Sequence, residues 1–188
     1  LRYDNDEREN TTETPQEFIP GPINCNTIPT PVPCAFTGQV RKETWDELQP
    51  KVTLRFKPND DVTSYVSYSR GFRSGGFNQT GVGSAPDPFG VLVGIGDLFD
   101  EETADTYEAG VKARFMDNRL LAGASIYHTK AEGSYFFVFD SNTSTQNLGN
   151  LDEVEYQGLE AEIQVQVNDN LDLYARVGLT DSEIKESA

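Results

Sequence analysis

The sequence predicts an all-β fold: antiparallel hairpins from a transmembrane β-barrel, about six strands of a larger one. Three observations predict it. Long stretches alternate apolar and polar residues with a period of two, the spacing at which strand side chains reach opposite faces. Short turns alternate with long polar connections. No apolar run approaches the roughly 18 residues that a spanning helix needs. A mean hydropathy of -0.54 is compatible with this, because barrel strands average lipid-facing with lumen-facing residues.

The first alternating stretch starts at Trp45. Leu48, Pro50, Val52, Leu54 and Phe56 share one face, and Gln49, Lys51, Thr53 and Arg55 the other. Lys57 to Asp61 supplies a turn, and Val62 to Phe72 returns with β-branched and aromatic residues. A Gly/Pro-rich connection, residues 73–101, leads to a second hairpin. There Tyr107, Ala109, Val111, Ala113 and Phe115 alternate with Glu108, Gly110, Lys112 and Arg114, and the chain turns at Met116 to Arg119. Leu120 to Phe139 forms a longer strand, and a second polar connection covers residues 140–151. In the third hairpin Leu159, Ala161, Ile163, Val165 and Val167 oppose Glu160, Glu162, Gln164 and Gln166. Asn168 to Asn170 turns the chain into Leu171, Leu173, Ala175, Val177 and Leu179. A soluble sandwich with its apolar face turned inward gives the same alternation. The asymmetry of the connections and the small apolar residues favour the membrane barrel.

Residues 1–44 differ from 45–188. They are polar, acidic and rich in Pro and Thr, without a sustained period, and read as a loop of extracellular type. Cys25 and Cys34 close a short segment holding three prolines, and a disulfide is the expectation. Two thiols and one distant histidine are too few ligands for zinc. Leu1 is not a start methionine and no signal peptide precedes it, so both ends read as cuts within a longer chain.

A formal charge of -16, from 31 acidic and 15 basic residues, argues against nucleic-acid phosphates as partners. It leaves open a solvated surface, a cation-attracting lumen, or acidic loops that bind divalent ions. The acidic runs at Asp4–Glu9, Asp97–Glu102 and Asp152–Glu155 lack the EF-hand pattern, so no cofactor is expected and Ca²⁺ is the one metal they allow. Asn10, Asn78 and Asn142 match the Asn-x-Ser/Thr acceptor pattern, a short motif that alone seldom marks a sugar. No Ser/His/Asp arrangement suggests an enzyme. His128, the sole histidine, lies within an alternating strand and is expected to be lumen-facing or interfacial. The glycines of Arg70 to Gly76 do not follow a phosphate-binding spacing.

Three motifs carry a family resemblance. They are Val66-Ser-Tyr-Ser-Arg-Gly-Phe-Arg-Ser-Gly-Gly-Phe-Asn78, Glu102-Thr-Ala-Asp-Thr-Tyr-Glu-Ala-Gly-Val-Lys-Ala113 and Val154-Glu-Tyr-Gln-Gly-Leu-Glu-Ala-Glu162. In this order and spacing, over residues 45–183, they resemble the barrels of TonB-dependent outer-membrane receptors. The resemblance implies a barrel of about 22 strands filled by an N-terminal plug. It further implies uptake of a scarce nutrient of the siderophore, cobalamin or glycan class, with energy delivered by TonB. The expected partners are outer-membrane lipid, the remainder of the parent barrel, its plug and, through the plug, TonB. No plug or TonB box is recognisable in residues 1–188, so the expectation is that transport belongs to a parent protein. A second reading follows from two exposed sheet edges: identical copies could stack into a β-rich extracellular filament.

Overall fold

The computed structural model describes residues 1–11, 40–78, 94–140 and 145–185. Six strands form one antiparallel sheet: β3 (Lys51–Phe56), β4 (Val62–Arg73), β7 (Glu102–Phe115), β8 (Leu120–Asp140), β9 (Thr145–Asn168) and β10 (Leu171–Lys185). Their order is β10-β9-β8-β7-β4-β3, so strands consecutive in the sheet's own succession are always neighbours. Two small ribbons stand at one end of this wall, β1 (Arg2–Thr11) with β2 (Val40–Gln49) and β5 (Gly76–Phe77) with β6 (Leu98–Phe99).

The register carries the alternation across the whole wall. Leu54, Val66, Ala109, Ile126, Leu159 and Leu179 lie in one hydrogen-bonded row. The next row of opposite parity is Thr53, Ser67, Glu108, Tyr127, Gly158 and Thr180. One face is therefore apolar and the other polar from edge to edge, as the period of two requires. The apolar face is open: Leu54, Phe56 and Leu179 are each about two-thirds exposed. Buried apolar side chains are confined to the ribbon end, with Trp45, Ile95, Phe99, Ala131 and Val154. Among the described residues, the wall proper has no hydrophobic core.

Three tight turns close the other end. Asn59 Oδ1 accepts the backbone N–H groups of Asp61 and Val62, and Asn168 Oδ1 that of Asn170, both turns of the Asx kind. Between β7 and β8, Met116, Asp117 and Asn118 all have positive φ, 55°, 53° and 70°. Asp and Asn tolerate that region through their short polar side chains; Met does not.

The structure departs from the sequence reading in several places. Residues 2–11 and 40–44, expected as loop, form β1 and the start of β2, and within the expected 73–101 connection residues 76–77 and 98–99 form β5 and β6. The pairing of β1 with β2 is reinforced by cross-strand charge, as in Lys42 to Glu9 at 2.6 Å, so no apolar period marks it. The stretch from Trp45 to Phe56 is two strands: the ladder breaks at Pro50, which has no N–H, while its carbonyl accepts Arg70 N–H at 3.0 Å. Residues 145–151, expected within a loop, belong to β9 and pair with β8 as far as Asp140. Cys25, Cys34 and Asn142 lie outside the described residues.

Met116→Gly should stabilise the barrel that contains this turn by about 1 kcal/mol, because glycine removes the left-handed penalty. Urea midpoints in detergent micelles would read this; an unchanged or lowered midpoint would mean the turn carries no strain.

Candidate functional site

The polar face of the wall is assembled row by row. Arg55, Tyr65, Gly110, Ser125, Glu160 and Gly178 form one row, and Thr63, Lys112, Gly123, Glu162 and Arg176 the next row on the same face. Glu162 receives Lys112 from one side at 3.8 Å and Arg176 from the other at 3.3 Å. Gly123, between Lys112 and Glu162 in the row, leaves these long side chains room to meet. The Tyr65 hydroxyl donates to Glu108. Glu160 makes no ion pair or hydrogen bond among the described residues. These groups surround a concavity of about 420 Å³.

Two tyrosines lie flat over glycines of the neighbouring strand. A Cβ on Gly110 would stand 2.7 Å from the Tyr65 ring, and one on Gly158 2.6 Å from that of Tyr127. Each tyrosine is the register partner or diagonal neighbour across the strand pair, Tyr65 facing Gly110 and Tyr127 facing Gly158. The bare glycine backbone is thereby covered by a ring, and the ring is held against the wall.

The apolar face ends in aromatic rows. Tyr68 and Tyr107 are register partners with ring centroids 5.2 Å apart, and His128 continues their row. At the turn end the same face carries Phe56 and Phe115. Tyr107 and Phe115 are eight residues apart. At about 3.4 Å per residue this is roughly 27 Å along the strand, less once the strand tilts, close to the apolar band of a membrane barrel. Beyond the tyrosine row the same face turns charged, with Arg70, Asp105, Lys130, Glu155 and Glu183 in one row. Of the two positions expected for His128, lumen-facing or interfacial, the register gives the second: it shares the apolar face with Tyr107, at the edge of the band.

At the ribbon end the sheet is riveted by polar side chains. Asn78 is buried, and its Nδ2 donates to the carbonyls of Gly96 and Leu148 at 2.8 and 2.7 Å while its Oδ1 accepts Leu148 N–H at 2.8 Å. The amide thus acts as a short piece of strand. With both N–H groups used, Asn78 does not fit the role of sugar acceptor that its tripeptide suggests. Asn10 is half-buried and its Oδ1 accepts from Arg41 at 2.9 Å. Asn150 joins Gly133, whose φ of 72° kinks β8, to both backbone groups of Asp100. A Cβ at Gly133 would come within 2.2 Å of the Glu101 carbonyl, so only glycine fits there.

Three arginines fasten this end, each over a ring: Arg8 ties β1 to the end of β4, Arg41 ties the two ribbons to each other, and Arg73 braces the wall itself. Arg8 lies over Trp45 and donates to Ser74, Arg41 lies 4.9 Å from the Phe77 centroid, and Arg73 lies 3.8 Å from that of Tyr135. Arg41 also donates to the carbonyls of Asn78 and Asp97, and Arg73 pairs with Glu102. The Ser74 hydroxyl and the Arg8 guanidinium hold Asp6 below the usual carboxylate range. Glu101 is shifted the other way: burial pushes its carboxyl up, and Glu47, Asp100 and Asp46 add to it against the opposing Arg70. Among the described residues no three His, Cys, Asp or Glu side chains converge as a metal site would require. Sequence reading missed this network because its fastening contacts join different strands and loops, 17 residues apart for Asn150 and Gly133 and up to 70 for Asn78 and Leu148, and follow no period.

A raised carboxyl binds its proton more tightly folded than unfolded. Its contribution therefore grows as pH falls through the folded value and is lost as pH rises. Glu101→Gln should raise the stability of this end at neutral pH and abolish that part of the acid dependence; hydrogen exchange at the amides around Asp100 and Gly133 would report it. Asn78→Ala should expose the Leu148 amide to exchange and cost about 2 kcal/mol locally, since two carbonyls and an N–H lose their partner. Unchanged exchange at Leu148 would refute the rivet.

Comparison with known proteins gives this wall its relatives. A family model described as TonB dependent receptor-like, beta-barrel, matches residues 1–187. The probable TonB-dependent siderophore receptor PiuA of Acinetobacter baumannii is 26% identical over 172 residues, 86% of this chain and 20% of that protein. A ferric-pyoverdine receptor, PbuA, of a Pseudomonas species is 29% identical over 142 residues, 76% of this chain and 16% of that protein. Among solved structures, the ferric yersiniabactin uptake receptor FyuA of Yersinia pestis aligns with a TM-score of 0.59 at 17% identity, over 79% of this chain and 20% of that one. The chain thus spans about a fifth of the length of the relatives it matches. A family match over nearly the whole chain, joined to a two-faced antiparallel wall with tight turns at one end, means that this chain belongs to the TonB-dependent receptor β-barrel family.

Proposed function

We propose that the chain is a wall segment of an outer-membrane receptor that imports a scarce nutrient of the metal–siderophore class. Its apolar face meets lipid, its polar face meets the lumen, its tight turns face the periplasm and its ribbons face the cell exterior. The observation that carries this reading is the unbroken division of faces across six strands, bounded by aromatic rows at both ends of the apolar band. An open apolar face without a core is costly in water and is the expected state against hydrocarbon. The named relatives with siderophore titles support the nutrient class. The filament reading draws no support from the relatives or from strands that pair within one chain.

The lumen side has a role in this reading too. Glu108 and Glu160 face a concavity whose nearby cations, Lys112 and Arg176, are already shared by Glu162. Such carboxylates suit a cationic side chain of the plug that fills the barrel, and the plug in turn supplies the contact with TonB.

Val177→Arg, on the apolar face midway along the band, should cost the full-length receptor about 2–4 kcal/mol. Gln164→Arg, on the polar face, should cost little. Equal costs in micelle unfolding would refute the assignment of faces. For the function, cells lacking the receptor should lose import of at least one ferric chelate across a panel; parental import of every chelate would refute the uptake reading.

A further inference from the structure

The ribbon of β1 and β2 is attached differently from the strands of the wall. Among the described residues its two strands pair with each other and with no strand of the wall. β2 runs into β3 through Pro50 alone, whose carbonyl accepts Arg70 N–H at 3.0 Å. Beyond that joint, side chains hold the ribbon to β4 and the residues that follow it. The buried Trp45 ring rests on Gly75, where a Cβ would stand 2.7 Å away, and Arg8 donates to Ser74. A third contact is ionic, between Glu47 of β2 and Arg70 of β4. A strap joined at one residue and held by side chains loosens without breaking the ladder of the wall.

The ionic contact is contested. Arg70 Nε lies 2.9 Å from Glu47 yet makes no hydrogen bond among the described residues, so the pair is charge without alignment. The same guanidinium lies 3.9 Å from Asp105, which the Tyr68 hydroxyl holds to the wall at 2.7 Å. Glu101, in the link between β6 and β7, stands beside this pair. Around its carboxyl are Asp46 and Glu47 from β2, Arg70 from β4 and the adjacent Asp100. β8 brings the backbone of Gly133 against the Glu101 carbonyl, and β9 brings the neutral amide of Asn150 to Asp100. From β1, the Tyr3 hydroxyl donates to Asp46 at 3.3 Å. One cation thus serves three carboxylates, of which Glu47 alone belongs to the ribbon.

We infer that Glu101 is a proton-operated release for this strap. With its proton on, Glu101 leaves Arg70 to Glu47 and the ribbon stays seated; with the proton off, it draws on Arg70, repels Asp46 and Glu47, and the ribbon loosens about Pro50. The direction follows from linkage. Shielding from water, together with Glu47, Asp100 and Asp46 and against the opposing Arg70, makes the seated Glu101 hold its proton more firmly than an ordinary glutamate. Lifting the ribbon admits water and takes two of those three carboxylates away, so the proton is then held less firmly. Proton binding and seating therefore favour each other. Seating is strongest at low pH and is lost as pH rises through the value Glu101 has in the seated state. Arg70 and Glu47 are 32% and 22% exposed, so salt screens their contact less than it screens an open surface pair. The inference concerns the ribbon alone and stands or falls independently of the uptake reading.

The test uses the full-length receptor that carries this segment, in detergent micelles. Nitroxides are introduced through a ketone amino acid in place of Val40 in β2 and Ile126 in the wall, both at least half exposed. Pulsed dipolar spectroscopy then sorts the distance between them into seated and loose populations. From about pH 5 to about pH 8 the seated-to-loose ratio should fall by about fivefold or more. Glu101→Gln, neutral at every pH, should stay seated across the range. Arg70→Gln, which removes the shared cation, should be looser at every pH and lose the transition. Should Arg70→Gln fail to assemble, Glu101→Gln decides alone, because it leaves Arg70, Glu47 and Trp45 in place. A distance that does not change with pH, a ratio that rises with pH, or a transition that persists in Glu101→Gln overturns the release.

Discussion

Every feature of this wall depends on the pairing of backbone amides between neighbouring strands. In hydrocarbon an unmet N–H or C=O has no water to turn to, so strands must satisfy one another along their whole length. Once that pairing is fixed, side chains can only alternate. The apolar band, the aromatic rows and the polar rows follow from one register carried across six strands. This also explains why stability is organised here without a core: the solvent on one side is lipid, and the apolar side chains need no partner layer of protein.

Where the wall leaves the membrane, the rules change and so does the chemistry. Beyond the Tyr68–Tyr107 row water can meet backbone groups, and structure has to be held by specific contacts. The arginines over rings, the two buried or bridging asparagines and the few buried apolar side chains are all found there. Gly133 marks part of this transition, since its positive φ ends the regular pleat of β8 just where β9 still pairs with it. The result is a regular lower wall joined to an individually fastened upper end.

That division also sets what a reader of the sequence can see. Strands whose faces meet lipid and water announce themselves by period, so β3, β4, β7, β9 and β10 and the turns at Asn59, Asn118 and Asp169 are legible with nothing but alternation and turn residues. Glu160, Glu162 and Lys112 are legible as members of the polar face, although their meeting with Arg176 is not, because it depends on the register between strands. β1 was hidden because both of its faces meet water and its pairing leans on charges such as Lys42 with Glu9. The role of Asn78 was hidden for a different reason: its partners Gly96 and Leu148 are 18 and 70 residues away.

The tyrosines lying over glycines have a consequence for how such a wall is put together. A period of two is blind to slippage by two residues: the greasy side stays greasy, the wet side stays wet, and most ladder bonds can re-form. Tyr127 over Gly158 and Tyr65 over Gly110 are not blind to it. Slipped by two, Tyr127 would come opposite Tyr156 or Glu160, and Tyr65 opposite Glu108 or Lys112, where a side chain already occupies the space the ring needs. These ring-on-backbone pairs therefore work as alignment keys, distinguishing the correct threading of adjacent strands from near misses that hydrophobic patterning alone would accept.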